Sequence, residues 1–146
     1  MAELEELKAK TELEEQNRAL VEKYIEGWNS KNIQILDEFL DPQFQVYIPS
    51  NTQNPMSLEQ FKGWIEGLFQ AFPDIQYDIQ EIFVTGDKVC LRWTCTATYK
   101  GGIPGIPATE KKVVGSAIEI YRVQNGKIIE ERSEMDAQGW NQQLGL

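Results

Sequence analysis

Hydrophobic positions follow a helical period through the first half of the chain and a period of two through the second. From Leu4 to Asn29 the residues Leu13, Leu20, Val21, Tyr24, Ile25 and Trp28 recur at the spacing of one helical face. The stretch before Glu12 is charged almost throughout, so residues 1–12 are expected as a helical extension of that segment. Asn29-Ser30 ends it, and Ile33 to Leu40 reads as a second short helix, stopped at Asp41-Pro42 because the residue before a proline leaves the helical region. Phe44 to Ile48 alternates as a short strand, closed by Pro49 and the polar turn Ser50 to Asn54. Ser57 with Gln60 three residues later forms a capping-box pattern. The helix behind it carries Leu58, Phe61, Trp64, Ile65, Leu68 and Phe72 and runs out at Pro73-Asp74.

From Ile75 onward the pattern is that of strands. Ile75 to Thr85 and Lys88 to Tyr99 flank Gly86-Asp87, and Lys112 to Gln124 and Lys127 to Asp136 flank Asn125-Gly126, both two-residue hairpin signals. Lys100 to Lys111 is a Gly/Pro-rich loop, and Ala137 to Leu144 is read as a last helical turn. Three helices followed by four hairpin-connected strands predict one α+β domain over residues 1–146, with helices segregated to one face of an antiparallel sheet.

Charge and composition then narrow the chemistry. The formal charge is −9, from 23 acidic against 14 basic residues, which repels phosphate backbones and anionic membranes; neither nucleic acid nor membrane is expected as a partner. The N-terminus MAELEELKAK has no apolar signal core and no apolar run reaches membrane-spanning length, so a cytoplasmic location is the expectation. Cys90 and Cys95, five apart on one strand, point to opposite faces and are not expected to pair. The chain has no histidine. Zinc or copper sites and Ser-His-Asp chemistry are thereby set aside, and acid–base work falls to carboxylates, tyrosines, lysines and arginines.

A regular ladder from Asn125-Gly126 would set Tyr121 opposite Glu130, Glu119 opposite Arg132, Ala117 opposite Glu134 and Gly115 opposite Asp136. That face is either wet, with Glu119–Arg132 an exposed ion pair of little worth, or the wall of a helix-covered pocket with carboxylates of shifted pKa. Gly115 removes a side chain beside Asp136 and would leave room for a ligand. In the first hairpin Glu81 faces Arg92, on a face expected to carry Ile79, Phe83 and Thr94, while Val89, Leu91, Trp93, Cys95, Ala97 and Tyr99 form an apolar row behind it. A sheet apolar on both sides is usually covered on both, so a homodimer is expected. Tyr24, Trp28, Tyr47, Trp64, Trp93, Tyr99, Tyr121 and Arg132 are taken as residues edging a cavity for a small apolar molecule, against simple core packing as the alternative.

The order of elements carries local strings that resemble one family. These are Tyr24-Ile25-Glu26-Gly27-Trp28-Asn29, Leu36 to Phe44, Ala71-Phe72-Pro73-Asp74, Val89 to Thr94, and Gly105-Ile106-Pro107-Ala108-Thr109. They continue with Ile120-Tyr121-Arg122, Asn125-Gly126-Lys127-Ile128, Glu134-x-Asp136 and Gln142-Gln143-Leu144-Gly145. From about Glu15 to Leu146 the chain resembles the SnoaL-like polyketide cyclases and ester cyclases of the NTF2-like superfamily. The resemblance implies a cone, in which a strongly curved sheet wraps around helices and encloses one pocket, and dimerisation through the sheet. It implies ring closure by intramolecular aldol chemistry without metal or organic cofactor, with an aspartate as acid and base. By position that aspartate is Asp136; Glu134 and Glu119 fall where relatives keep acidic or polar pocket residues, and Arg92 matches a commonly retained arginine. Two places where relatives often keep histidine hold Tyr47 and Tyr99.

Three functions are consistent with these residues. The first is a cyclase-type enzyme with Asp136 as acid/base, Glu134 or Glu119 raising its pKa, and Arg92 or Arg132 orienting the carboxylates. The second is water activation like that of limonene-type epoxide hydrolases, by Arg132, Glu134 and Asp136. The third is a non-catalytic protein that holds a small hydrophobic ligand.

Overall fold

The computed structural model describes residues 1–146. Helix α1 runs from Ala2 to Asn29, exposed through its first turns and buried along Val21, Tyr24, Ile25 and Trp28. A 3₁₀ turn at Ile33–Ile35, capped by Asn32, leads into the short α2, Leu36–Phe39. Strand β1 (Leu40–Tyr47), a 3₁₀ turn at Pro49–Asn51 and the two-residue β2 (Met56–Ser57) precede α3, Leu58–Ala71. The capping box at its start forms: Gln60 N donates to Ser57 Oγ, and Ser57 N donates back to Gln60 Oε1. Four long strands follow, β3 (Gln76–Thr85), β4 (Lys88–Thr98), β5 (Lys112–Gln124) and β6 (Lys127–Met135), and α4 (Ala137–Gln143) ends the chain. No helix is long and apolar enough to cross a membrane.

The sheet has the order β2-β1-β6-β5-β4-β3. The four long strands pair as antiparallel hairpins, with Gly86 and the Asn125-Gly126 pair at positive φ in the turns. The short strand adds to the expected sheet through a parallel pairing, β1 to β6, so the sheet is mixed. Helix α1 is fastened across the concave face at two points. Asn17 Nδ2 donates to the carbonyl of Gly86 at the first hairpin turn (3.1 Å), and the Asn29 amide exchanges two hydrogen bonds with the Tyr77 backbone (3.0 and 2.8 Å).

Two irregularities shape this sheet. The β3–β4 register shifts between Ile79 and Glu81, leaving Gln80 unpaired, and the β5–β6 register shifts between Arg122 and Val123, leaving Ile129 unpaired. A bulge raises local twist and bends its strand, which is how the sheet curls around α1 and α3. The first bulge corrects one expectation: Ile79 lies opposite Trp93 on the inner face, not beside Glu81 and Phe83. The second corrects more. Beyond it Tyr121 pairs with Glu131, Glu119 with Ser133, Ala117 with Met135 and Ile118 with Glu134, one residue away from the regular ladder. A slip of one residue turns every side chain over.

Candidate active site in the sheet cavity

The concave face of the sheet, α1, α3 and α4 enclose a cavity of about 450 Å³. Trp28 and Ile25 come from α1, Phe61, Trp64 and Leu68 from α3, Tyr77 and Trp93 from β3 and β4, and Trp140 and Asn141 from α4. Each lies there for a local reason. Strand alternation turns Leu91, Trp93 and Cys95 inward together, and the helical period of α1 stacks Trp28 one turn above Tyr24. At the floor, β5 and β6 turn Glu119, Tyr121, Glu131 and Ser133 into the same space.

Glu119 and Glu131 are the two charged-type residues of this wall, 7% and 4% exposed, and no lysine or arginine lines the cavity. Glu119 accepts hydrogen bonds on Oε1 from Trp93 Nε1 and from the Tyr121 hydroxyl (2.8 Å). Burial pushes its carboxyl above the ordinary range, and the hydrogen bonds from Trp93 and Tyr121 pull part of the way back. Glu131 is pushed well above that range, first by burial and then by the like charge of Glu119, with Tyr121 as its opposing donor. The Tyr121 hydroxyl has one hydrogen, so it serves one carboxylate at a time. Tyr121, Tyr77 and Tyr24 are all raised well above the usual phenol value by burial and by these carboxylates, so each is held as a neutral hydroxyl. Burial likewise pushes the Cys95 thiol up to about 11.

Of the residues singled out from sequence, Glu119, Trp28, Trp64, Trp93 and Tyr121 line this cavity. The others lie elsewhere. Asp136 is exposed one residue past β6, where its Oδ1 accepts from Gly139 N (2.9 Å) and caps α4. Glu134 points outward from β6 opposite Ile118. Arg92 is on the convex face in an exposed ion pair with Glu81 (3.0 Å). Arg132 lies outside as well, its guanidinium 4.1 Å from the centre of the Tyr47 ring and beside Glu130. The Arg132, Glu134 and Asp136 grouping therefore does not assemble around the cavity, because the bulge at Ile129 turns it to solvent. Tyr24 is fully buried behind Tyr121, its ring edge-on at 5.9 Å, with no partner for its hydroxyl. Tyr99 ties down the Gly/Pro loop, donating to the Ile106 carbonyl (2.7 Å) and accepting from Ile103 N (3.1 Å). The space expected beside Gly115 is filled by Trp140, whose ring would lie 3.0 Å from a Cβ there. Cys90 and Cys95 are free and on opposite faces.

Glu131, Tyr77 and Trp140 were not singled out from sequence. The signal for Glu131 was the pair Ile128-Ile129, two adjacent apolar residues where strict alternation allows one.

Comparison with known proteins decides the family. The model of the SnoaL-like polyketide cyclase family matches residues 18–144. The chain belongs to this family. Nogalonic acid methyl ester cyclase of Streptomyces nogalater is 23% identical over 126 residues, covering 83% of this chain and 91% of that protein. Among solved structures, AclR of Streptomyces galilaeus, described as a candidate hydroxylase, aligns with a TM-score of 0.83 at 26% identity, over 90% of this chain and 86% of its own. IdmH of Streptomyces antibioticus, described as a candidate polyketide cyclase, aligns at 0.80 and 25%, over 90% of this chain and 99% of its own. The NTF2-like cone of the SnoaL-like proteins is thus the fold of this chain, with its sheet curled rather than closed.

Proposed function

We propose that this SnoaL-like protein is a cyclase-type enzyme acting on an apolar, polyketide-like ketone or ester by acid–base chemistry at the Glu119–Glu131 pair. One observation carries the reading: two buried carboxyl groups, one of them accepting the Tyr121 hydroxyl, stand at the floor of an apolar cavity that offers no cation. Two carboxylates so placed cannot both stay ionised cheaply, so the pair keeps one proton. Glu119, with two donors on one oxygen, is the better anion and serves as base; Glu131 keeps the proton and serves as acid. In an aldol closure Glu119 takes the hydrogen α to the activating carbonyl. The resulting enolate carbon bonds to the second carbonyl carbon, whose oxygen receives the proton of Glu131. The product is an isomer of the substrate, and one proton remains on the pair.

The test is solvent deuterium exchange at the α-carbon of apolar β-keto esters, followed by NMR, beside ring closure of nogalonic acid methyl ester, the compound in the relative's name. Wild-type protein is expected to exchange, Glu119→Gln and Glu131→Gln to lose about 10²-fold or more, and Asp136→Asn to keep the rate. Absence of exchange and of closure in the wild type, with an apolar molecule retained in native mass spectrometry, overturns this in favour of ligand storage, which the 16 hydrophobic residues among 22 in the lining would also suit.

A further inference from the structure

The lining of the cavity has a second property that acid–base work does not use. Trp28, Phe61, Trp64, Tyr77, Trp93 and Trp140 present aromatic rings to one cavity, with Trp64 at its exposed rim. Trp93 and Tyr77 meet edge to face at 4.9 Å, and Phe61 and Trp64 lie parallel at 6.0 Å, so the walls offer both ring faces and ring edges. At the floor Glu119 and Glu131 are more than nine-tenths buried, without a lysine or arginine to balance them. Aromatic faces and an uncompensated buried carboxylate favour the same kind of guest.

We infer that the cavity binds apolar cations, ring-sized molecules bearing a quaternary or protonated amine, in preference to neutral or anionic molecules of the same shape. This rests on the reading above that the pair keeps one proton and hence one negative charge. A monocation seated over Glu119, the anion of the pair, neutralises that charge at the place where water has been removed, and its alkyl groups meet the indole and phenol faces. An anion meets only like charge there.

No element around the pair supplies a charge that would cancel the effect. Tyr24 of α1, Tyr77 of β3, Cys95 of β4 and Tyr121 of β5 face it, and burial keeps each neutral through mildly alkaline pH. The linings from β1, α3 and α4, including Val46, Phe61, Trp64, Trp140 and Asn141, carry no titratable group. The charge of the pair therefore sets the preference, and lowering the pH removes it by supplying the second proton.

The experiment measures Kd by calorimetry for benzyltrimethylammonium, for neopentylbenzene, which replaces its nitrogen by carbon, and for the anion phenylmethanesulfonate. At pH 8 the cation is expected to bind about tenfold or more tighter than the hydrocarbon, and the sulfonate weaker than either. The preference should shrink towards pH 5, and should vanish in the Glu119→Gln/Glu131→Gln double variant with neopentylbenzene still bound. Equal or weaker binding of the cation, a preference that is flat with pH, or one that survives in the double variant overturns the inference. Deuterium exchange on the same preparation separates the two readings. Exchange without a cation preference sinks only this inference, and a cation preference without exchange sinks only the acid–base assignment.

Discussion

Glu131 and Asp136 lie five residues apart and have opposite environments. Asp136 reaches solvent and its own helix, where the capping bond to Gly139 N is its visible work. Asp136→Ala should therefore cost about 1 kcal/mol of stability in denaturant unfolding, while Asp136→Asn, which keeps an acceptor, should cost far less. Glu131 is buried beside the like charge of Glu119 with no cation lining the cavity, and its raised pKa is a liability for the fold. Between the ordinary value of 4.5 and the higher folded value, the native state holds more protons than the unfolded chain, so stability falls as pH rises through that window. Glu131→Gln has no proton to lose. Its melting temperature should exceed that of the wild type, with the margin growing from pH 5 to pH 8 in thermal scans; a margin constant with pH would contradict the burial argument. A buried ionisable residue that lowers stability in this way is a mark of function rather than of folding.

At the scale of elements, the sequence was legible wherever periodicity and turn chemistry decide the outcome. The capping box at Ser57, the turns at Gly86-Asp87 and Asn125-Gly126 and the long alternating strands all follow from residue types with one physical use. Register beyond a turn does not, because inserting Ile129 costs the ladder one pairing and yet reverses the side-chain faces of everything after it. Glu119 is therefore legible as a pocket candidate, while the regular ladder sets Arg132 opposite it in place of the observed Ser133. Gln80 did the same for Ile79 on a smaller scale. The parallel pairing of β1 with β6 had no local signal, since it joins segments far apart in sequence. Helix α4 closes one side of the cavity by comparably specific means. The Gln143 amide exchanges hydrogen bonds with the Val114 backbone (2.7 and 2.9 Å), extending the sheet where β6 has ended, and Gly115 lets Trp140 lie flat beside Cys95. A Cβ at Gly115 would stand 2.9 Å from Cys95 Sγ and 3.0 Å from Trp140. Gly115→Ala should thus cost about 1–3 kcal/mol in urea unfolding, the range of core overpacking, and change the tryptophan fluorescence.

For the molecule as a whole, the curled sheet buries its concave face and leaves a stripe outside. Val114, Ile118 and Ile120 on β5 and Phe83 on β3 are exposed on the convex side, beside charges of both signs at Arg92, Arg122, Glu130 and Glu134. We propose that a second copy covers this face about a two-fold axis, where such a stripe is complementary to itself. Sedimentation equilibrium should give twice the chain mass of 16.8 kDa, and Ile118→Lys should return the monomer; a monomeric wild type at tens of micromolar would refute the dimer.

The central claim is that Glu119 and Glu131 hold one proton between them. Carbon-13 labelling of the glutamate δ-carboxyls, with assignments from Glu119→Gln and Glu131→Gln, reads it directly by NMR titration. The prediction is that one of the two remains protonated after every exposed glutamate has lost its proton, and that removing either partner lowers the pKa of the other by relieving like-charge repulsion. If both titrate with the exposed glutamates, the pair is a wet ion cluster and the proposed chemistry fails.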